Sequence, residues 1–180
     1  MIKKTKQQNP WTDEFPVHGR EVLPPAPEQF DVSLRVAYLI NYKLEAWGPL
    51  IQKAGDLCFD LRAAIAIPLW IYPERLVKIP LGVKFDLPPN IGITIVPRSS
   101  LCKSGLFLAN HSGRIDPSYR GEVIAPVFNF SDMPVIVEPG QRIVQGEITI
   151  LKRVSFETIH DYELSETQRG INGFGSTGKV

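Results

Sequence analysis

The chain has 180 residues, a formal net charge of +1 and 43% hydrophobic residues, enough apolar content for one packed domain with a tail and too much for global disorder. The near-neutral charge excludes a general nucleic-acid binder, which carries a strong basic excess, and leaves room for a small anionic substrate held by a few local cations. Two cysteines, Cys58 and Cys102, supply no disulfide framework and point to a reducing, cytoplasmic compartment. No apolar run approaches the roughly 18 residues of a membrane span, and the polar start MIKKTKQQNP is not a secretory signal.

In chain order, residues 1–30 combine Lys3, Lys4 and Lys6 with Pro10, Pro16, Pro24, Pro25 and Pro27. That density of proline opposes both helix and central strand, so the segment reads as a tail or a strap over the body. From residue 31 the pattern turns to β. Ser33–Ile40 is β-branched and apolar with partial alternation. Short runs follow: LRAAIAI, RLVKIPLGVKFDL, IGITIVP, EVIAPVFNF, VIVEPG, RIVQGEITILKRV and SFETI. Proline and glycine punctuate nearly every one. Only Tyr42–Lys53 departs from this, as a loop or a single helical turn limited by Pro49. Many short strands between such turns predict an all-β sandwich or barrel over residues 31–168. The last segment, RGINGFGSTGKV over residues 169–180, is too glycine-rich for a regular core element.

Five segments carry residues suited to chemistry. In GDLCFDLRAAI, Asp56 and Asp60 lie four apart. Such carboxylates suit Mg²⁺, which keeps most of its water, or simply solvate a turn. PRSSLCKSG places Arg98 before Ser99 and Ser100, a set able to bind phosphate oxygens or to form a polar turn. NHSGRIDPSYRGEV crowds Asn110, Asp116, Tyr119, Arg120 and Glu122 around Gly113 and Gly121. Asp116, between Ile115 and Pro117, belongs at a strand–turn junction. There it could act as a general base on a water or satisfy local backbone N–H groups. PGQRIVQGEI turns at Pro139–Gly140 into a strand holding Gln145. RGINGFGSTG offers Arg169, Ser176 and Thr177 to a polyphosphate and Phe174 to a base, without the Gly-Lys-Ser/Thr ending of a Walker A motif.

These five segments, in this order, resemble the five motifs of trimeric dUTPases, in the dUTPase/dCTP deaminase superfamily. The resemblance spans roughly residues 31–178, and GRIDPSYRGEV and RGINGFGSTG are its most specific parts. It implies a distorted jelly-roll β-barrel, a homotrimer with three active sites each shared among the subunits, and hydrolysis of dUTP to dUMP and pyrophosphate with Mg²⁺. By the same resemblance, Asp116 activates the attacking water and Asn110 reads uracil from a β-hairpin that adds Gly113 and Ile115 to the substrate-binding set. Tyr119 stacks on deoxyribose. Arg98, Ser99, Ser100 and Gln145 contact phosphates, and Asp60 lies near the metal's waters. Arg169, Phe174, Gly175, Ser176 and Thr177 belong to an arm that closes over the nucleotide. The long N-terminus leaves room for a regulatory protein partner.

The chain also departs from the dUTPase pattern. Ser100 stands where glycine is usual, the second motif is one residue shorter, and RSSL and Asp-Pro look more like dCTP deaminases. The deaminase pattern, however, needs an arginine where Lys103 stands and a glutamate where Pro126 stands. Proline cannot be an acid or base, so deamination would require Glu122 in its place. The zinc-deaminase signature is absent. A dUTPase that also takes dCTP is the other alternative. Cys58 occupies a usual glycine position, where a side chain could crowd the pocket or alter the backbone. His18, His111 and His160 fit no ligand spacing, and His111 reads as a hairpin surface residue.

Overall fold

The computed structural model describes residues 32–167, 170 and 171. The expected N-terminal extension, with any surface it would offer a regulatory partner, lies outside the described residues, as do Arg169, Phe174, Gly175, Ser176 and Thr177. The described chain is all-β, as the turn-punctuated pattern predicts. Its strands are β1 (Arg35–Tyr38), β2 (Cys58–Arg62), β3 (Leu69–Ile71), β4 (Leu76–Pro80), β5 (Val83–Asp86), β6 (Ile91–Pro97), β7 (Leu106–Leu108), β8 (Gly113–Ile115), β9 (Ile124–Asn129), β10 (Val135–Val137) and β11 (Arg142–Ile150). Two short helices, α1 (Leu44–Trp47) and α2 (Ser99–Lys103), and a 3-10 turn at Asp161–Glu163 complete it.

All pairings are antiparallel. A four-stranded sheet runs β2-β11-β6-β8, a three-stranded sheet runs β4-β9-β7, and β1-β5 and β10-β3 form two-stranded ribbons. The inner faces share one core, in which Leu61, Ile71, Ile79, Leu81 and Leu106 are fully buried. Each such side chain contributes about 1.5–3 kcal/mol by leaving water.

Particular residues set the breaks. The run RLVKIPLGVKFDL divides into β4 and β5 at Gly82, whose φ is +68° and where a Cβ would stand 2.7 Å from Ala64 Cβ. Only glycine fits both demands. Its N–H donates to Glu122 Oε1 at 2.9 Å, and Asn41 Nδ2 donates to the same oxygen at 3.1 Å. Tyr42–Lys53 contains one helical turn, which Gly48 and Pro49 terminate. SFETI is not a strand. A strand needs a partner edge, and residues 155–159 pair with none among the described residues; Phe156 stands 95% exposed.

Pro126 occupies the middle of a central strand, where a missing N–H is costly. Its carbonyl accepts from Ala109 N at 2.8 Å, so its nitrogen faces the same side, just past the end of β7. Cys58 lies in regular strand backbone opposite Glu147. Its φ is not positive, so the side chain at this usual glycine position leaves the backbone undistorted.

Candidate active site

The expected site residues gather into two clusters. The first lies on the four-stranded sheet. Phe59 and Leu61 of β2 point into the core, so alternation turns Cys58, Asp60 and Arg62 to the outer face. Gln145 on β11 pairs directly with Asp60, and Val96 on β6 with Gln145. Arg98 follows the end of β6 and reaches back, its Nε 3.1 Å from Asp60 Oδ1. Gln145 Nε2 donates toward the same oxygen at 3.4 Å. Arg142 Nη1 meets Asp60 Oδ2 at 3.0 Å. Ser99 and Ser100, expected in a turn or at a phosphate, are the first two residues of α2 and are exposed beside Arg98. They are the first residues of the helix, so their backbone N–H groups have no intrahelical acceptor.

The second cluster is a cavity of about 220 Å³ lined by Asn110, Gly113, Ile115, Tyr119, Glu122 and Pro126, among others. It forms where β7 turns into β8. His111 sits at the turn in the left-handed region, with φ 58°, and its N–H donates to Leu108 O at 2.9 Å. Histidine tolerates this conformation better than most residues. Gly113 pairs with Ile95 and Ile115 with Ile93, so both face the inner side of the sheet. A Cβ on Gly113 would lie 3.4 Å from the Asn110 amide nitrogen and begin to fill the cavity. Tyr119 lies against Gly121, where any Cβ would strike its ring, and its hydroxyl donates to Glu122 O at 3.0 Å. Asp116 follows β8 in an exposed turn, and its backbone carbonyl accepts from Tyr119 N at 3.0 Å.

The two clusters face opposite ways. Asp60 and Gln145 occupy the outer face of the sheet, whereas Gly113 and Ile115 occupy the inner side. Strands β2 and β8 are also its two edges, three strand spacings or about 14 Å apart. One chain therefore presents two half-sites, and they do not converge within it.

Sequence reasoning missed Arg142. Strict alternation from Gln145 places it on the core side, and only its position three residues before Gln145 in the same segment hinted at a role. Glu122 lines the cavity, and its Oε1 accepts from both Asn41 and Gly82. Burial, with smaller contributions from the Glu147, Asp56 and Asp60 charges, pushes the Cys58 thiol up, away from thiolate chemistry.

Among the described residues, no group of three or more His, Cys, Asp or Glu is placed to hold a metal. The outer-face cluster centres on one carboxylate, Asp60, and both its oxygens already meet guanidinium groups. That donor set fits a hard cation carried by phosphate oxygens and touched through water, not a cation caged by protein.

The class is defined first by architecture: an all-β jelly-roll barrel. The dUTPase of Staphylococcus bacteriophage 80alpha, solved with dUPNHPP, superposes with a TM-score of 0.71 over 82% of this chain and 99% of that one, at 20% identity. The Streptococcus mutans dUTPase structure superposes with a TM-score of 0.59, at 27% identity over 67% of this chain and 98% of that one. A match to the dUTPase family spans residues 45–178. The deoxyuridine 5'-triphosphate nucleotidohydrolase of Bdellovibrio bacteriovorus is 39% identical over 133 residues, covering 73% of this chain and 88% of that protein. Its counterpart from Chlamydia caviae is 38% identical over 141 residues, covering 76% and 96%. The chain belongs to the dUTPase family.

Proposed function

We propose that the protein is a dUTP diphosphatase, which hydrolyses dUTP to dUMP and pyrophosphate at sites shared between the chains of a homotrimer. The observation that carries this is the pair of opposed half-sites: a base-sized cavity on one side of the sheet and a phosphate-binding cluster on the other. Because they do not converge in one chain, a second copy must complete each site. The family relatives named above are deoxyuridine 5'-triphosphate nucleotidohydrolases, and the residues that resemble the family's motifs lie in the two half-sites here.

In this reading Asn110 presents its amide to the uracil edge, Gly113 leaves room for the ring, and Ile115 and Tyr119 pack against base and sugar. Hydrogen-bond mismatch then rejects cytosine more strongly than shape alone would. Arg98, Ser99, Ser100 and Gln145 donate to phosphate oxygens. Asp116, exposed next to Ile115 of the cavity wall, holds a water and accepts its proton as the water attacks the α-phosphorus in line with the departing pyrophosphate. A phosphate-bound Mg²⁺, with Asp60 reaching its water, would neutralise charge on the leaving group. Arg169, Phe174, Gly175, Ser176 and Thr177 supply an arm that closes over the nucleotide. Residues 31–168 form the barrel domain between the N-terminal extension and this arm, in a cytoplasmic enzyme.

Chromatographic product analysis with dUTP, dCTP and dTTP, each with Mg²⁺ and with chelator, tests the proposal. Metal-dependent dUMP and pyrophosphate from dUTP alone is the expected result. Uracil products from dCTP would move the protein to the deaminase branch, against Pro126 in the cavity wall, and dCMP would mean relaxed base selection.

A further inference from the structure

A second charged hollow lies outside both half-sites, on the β1-β5 ribbon. The ribbon pairs Arg35 with Asp86, Val36 with Phe85 and Ala37 with Lys84. Val36 and Phe85 pack on the core, so alternation turns Arg35, Ala37, Lys84 and Asp86 to the outer face. Arg120 reaches in from the turn that follows β8 and meets Asp86. These five residues border a cavity of about 260 Å³. Ala37, directly opposite Lys84, fills little of that space.

Three cations border this hollow against one carboxylate. Asp86 meets Arg35 Nη1 at 2.9 Å through Oδ2 and Arg120 Nη2 at 2.9 Å through Oδ1. The Arg35, Arg120 and Asp86 side chains are 86%, 55% and 44% exposed. Pairs so exposed hold weakly, and an anion of higher charge can take the guanidinium groups from the carboxylate. Arg35 also keeps Nε and Nη2 for a further acceptor. Lys84 takes part in no ion pair among the described residues. Successive outward residues of one strand stand about 7 Å apart, so the arginine pair at Asp86 and the Lys84 ammonium form two cationic poles. A single phosphate reaches one pole, whereas a diphosphate can engage both at once.

We propose that this hollow binds inorganic pyrophosphate, with Arg35 and Arg120 on one phosphoryl group, Lys84 on the other, and Asp86 as the internal competitor that the ligand displaces. The ligand is also the leaving group of the proposed reaction, but its binding here needs no part of the nucleotide site. Arg120 links the two places. Its Nη1 donates to the carbonyls of Pro117 and Tyr119, and Tyr119 borders the base-sized cavity. The hollow therefore lies behind the turn that carries Tyr119 and follows Asp116.

The test is titration calorimetry of the full chain with pyrophosphate and with inorganic phosphate, after saturation with α,β-imido-dUTP to fill the nucleotide site. Wild type is expected to bind pyrophosphate about tenfold or more tighter than phosphate. Arg35→Ala and Lys84→Ala should each weaken pyrophosphate about threefold, and the double variant about tenfold. Asp86→Asn keeps the shape and removes the competing charge, so it should tighten pyrophosphate about threefold. No pyrophosphate binding to the saturated chain overturns the proposal, as does unchanged binding in the double variant. Equal affinity for phosphate overturns the two poles, and weaker binding in Asp86→Asn overturns the competition. A chain that does not bind imido-dUTP defeats the dUTP reading instead. The same titrations in an Arg98→Ala background, where the outer-face cluster of the four-stranded sheet is impaired, then decide this site.

Discussion

Asp116 is the residue on which the proposed chemistry turns. Its carboxylate takes part in none of the ion pairs among the described residues, while Asp60, the other acid assigned to the site, is held by two arginines. That contrast separates a group free to take a proton from one committed to structure. Asp116→Asn keeps the shape and removes the basicity. Turnover of dUTP should fall by about 10²–10⁴-fold, while binding of a non-hydrolysable analogue stays within about threefold. Steady-state rates beside calorimetry check both halves, and undiminished turnover would remove Asp116 from the mechanism. At this scale much was legible in the sequence. Arg98, Asn110, Asp116, Tyr119 and Gln145 are residue types suited to phosphate, base or water, set among glycines and prolines that mark turns. Arg142 was not, because its orientation depends on an inserted residue at the register shift between Arg142 and Val144. Ile143 and Val144 together look like any apolar stretch of a strand.

Strands transmit these constraints, and β11 carries several. Gly146 faces Phe59, and any Cβ there would meet the aromatic ring. Phe59 is itself buried at 6% exposure and packs edge-on against Phe85, with ring centroids 6.0 Å apart. It cannot withdraw freely. Gly146→Ala should therefore cost about 1–3 kcal/mol of stability through overpacking, seen as a lower urea midpoint with an unchanged slope. A midpoint equal to wild type would show that the Phe59 ring has room to turn. Element types were readable where the pattern was long, as in IGITIVP, which became β6. They were not readable in β3, β7 and β8, since three residues cannot establish a period. SFETI shows the converse error. Its composition suits a strand, but a strand is a relation between two segments, and composition cannot supply the second.

Across the whole molecule, the opposed half-sites make a prediction about mixtures. In the proposed mechanism Asp116→Asn chains lack the base and Arg98→Ala chains lack a phosphate contact, and each alone should be inactive. Mixed and reassembled, about one quarter of the sites in a random population of closed oligomers would take an intact Asp116 from one chain and an intact Arg98 from another. Partial recovery of dUTP hydrolysis on mixing is expected. No recovery, with mixed oligomers present, would mean that one chain contains its own complete site. The sequence alone could not reach this point. Alternation assigns faces strand by strand, but which faces coincide depends on the order β2-β11-β6-β8, set by long-range pairing rather than by local pattern.

In the proposed assembly, a nucleotide that spans two half-sites borne by different chains is more than a substrate, because it becomes part of the contact between them. Its binding energy then appears as association energy, and by mass action each promotes the other. Falling nucleotide levels would loosen the assembly as well as empty it, so that protein concentration and substrate concentration become partly interchangeable controls on the same activity.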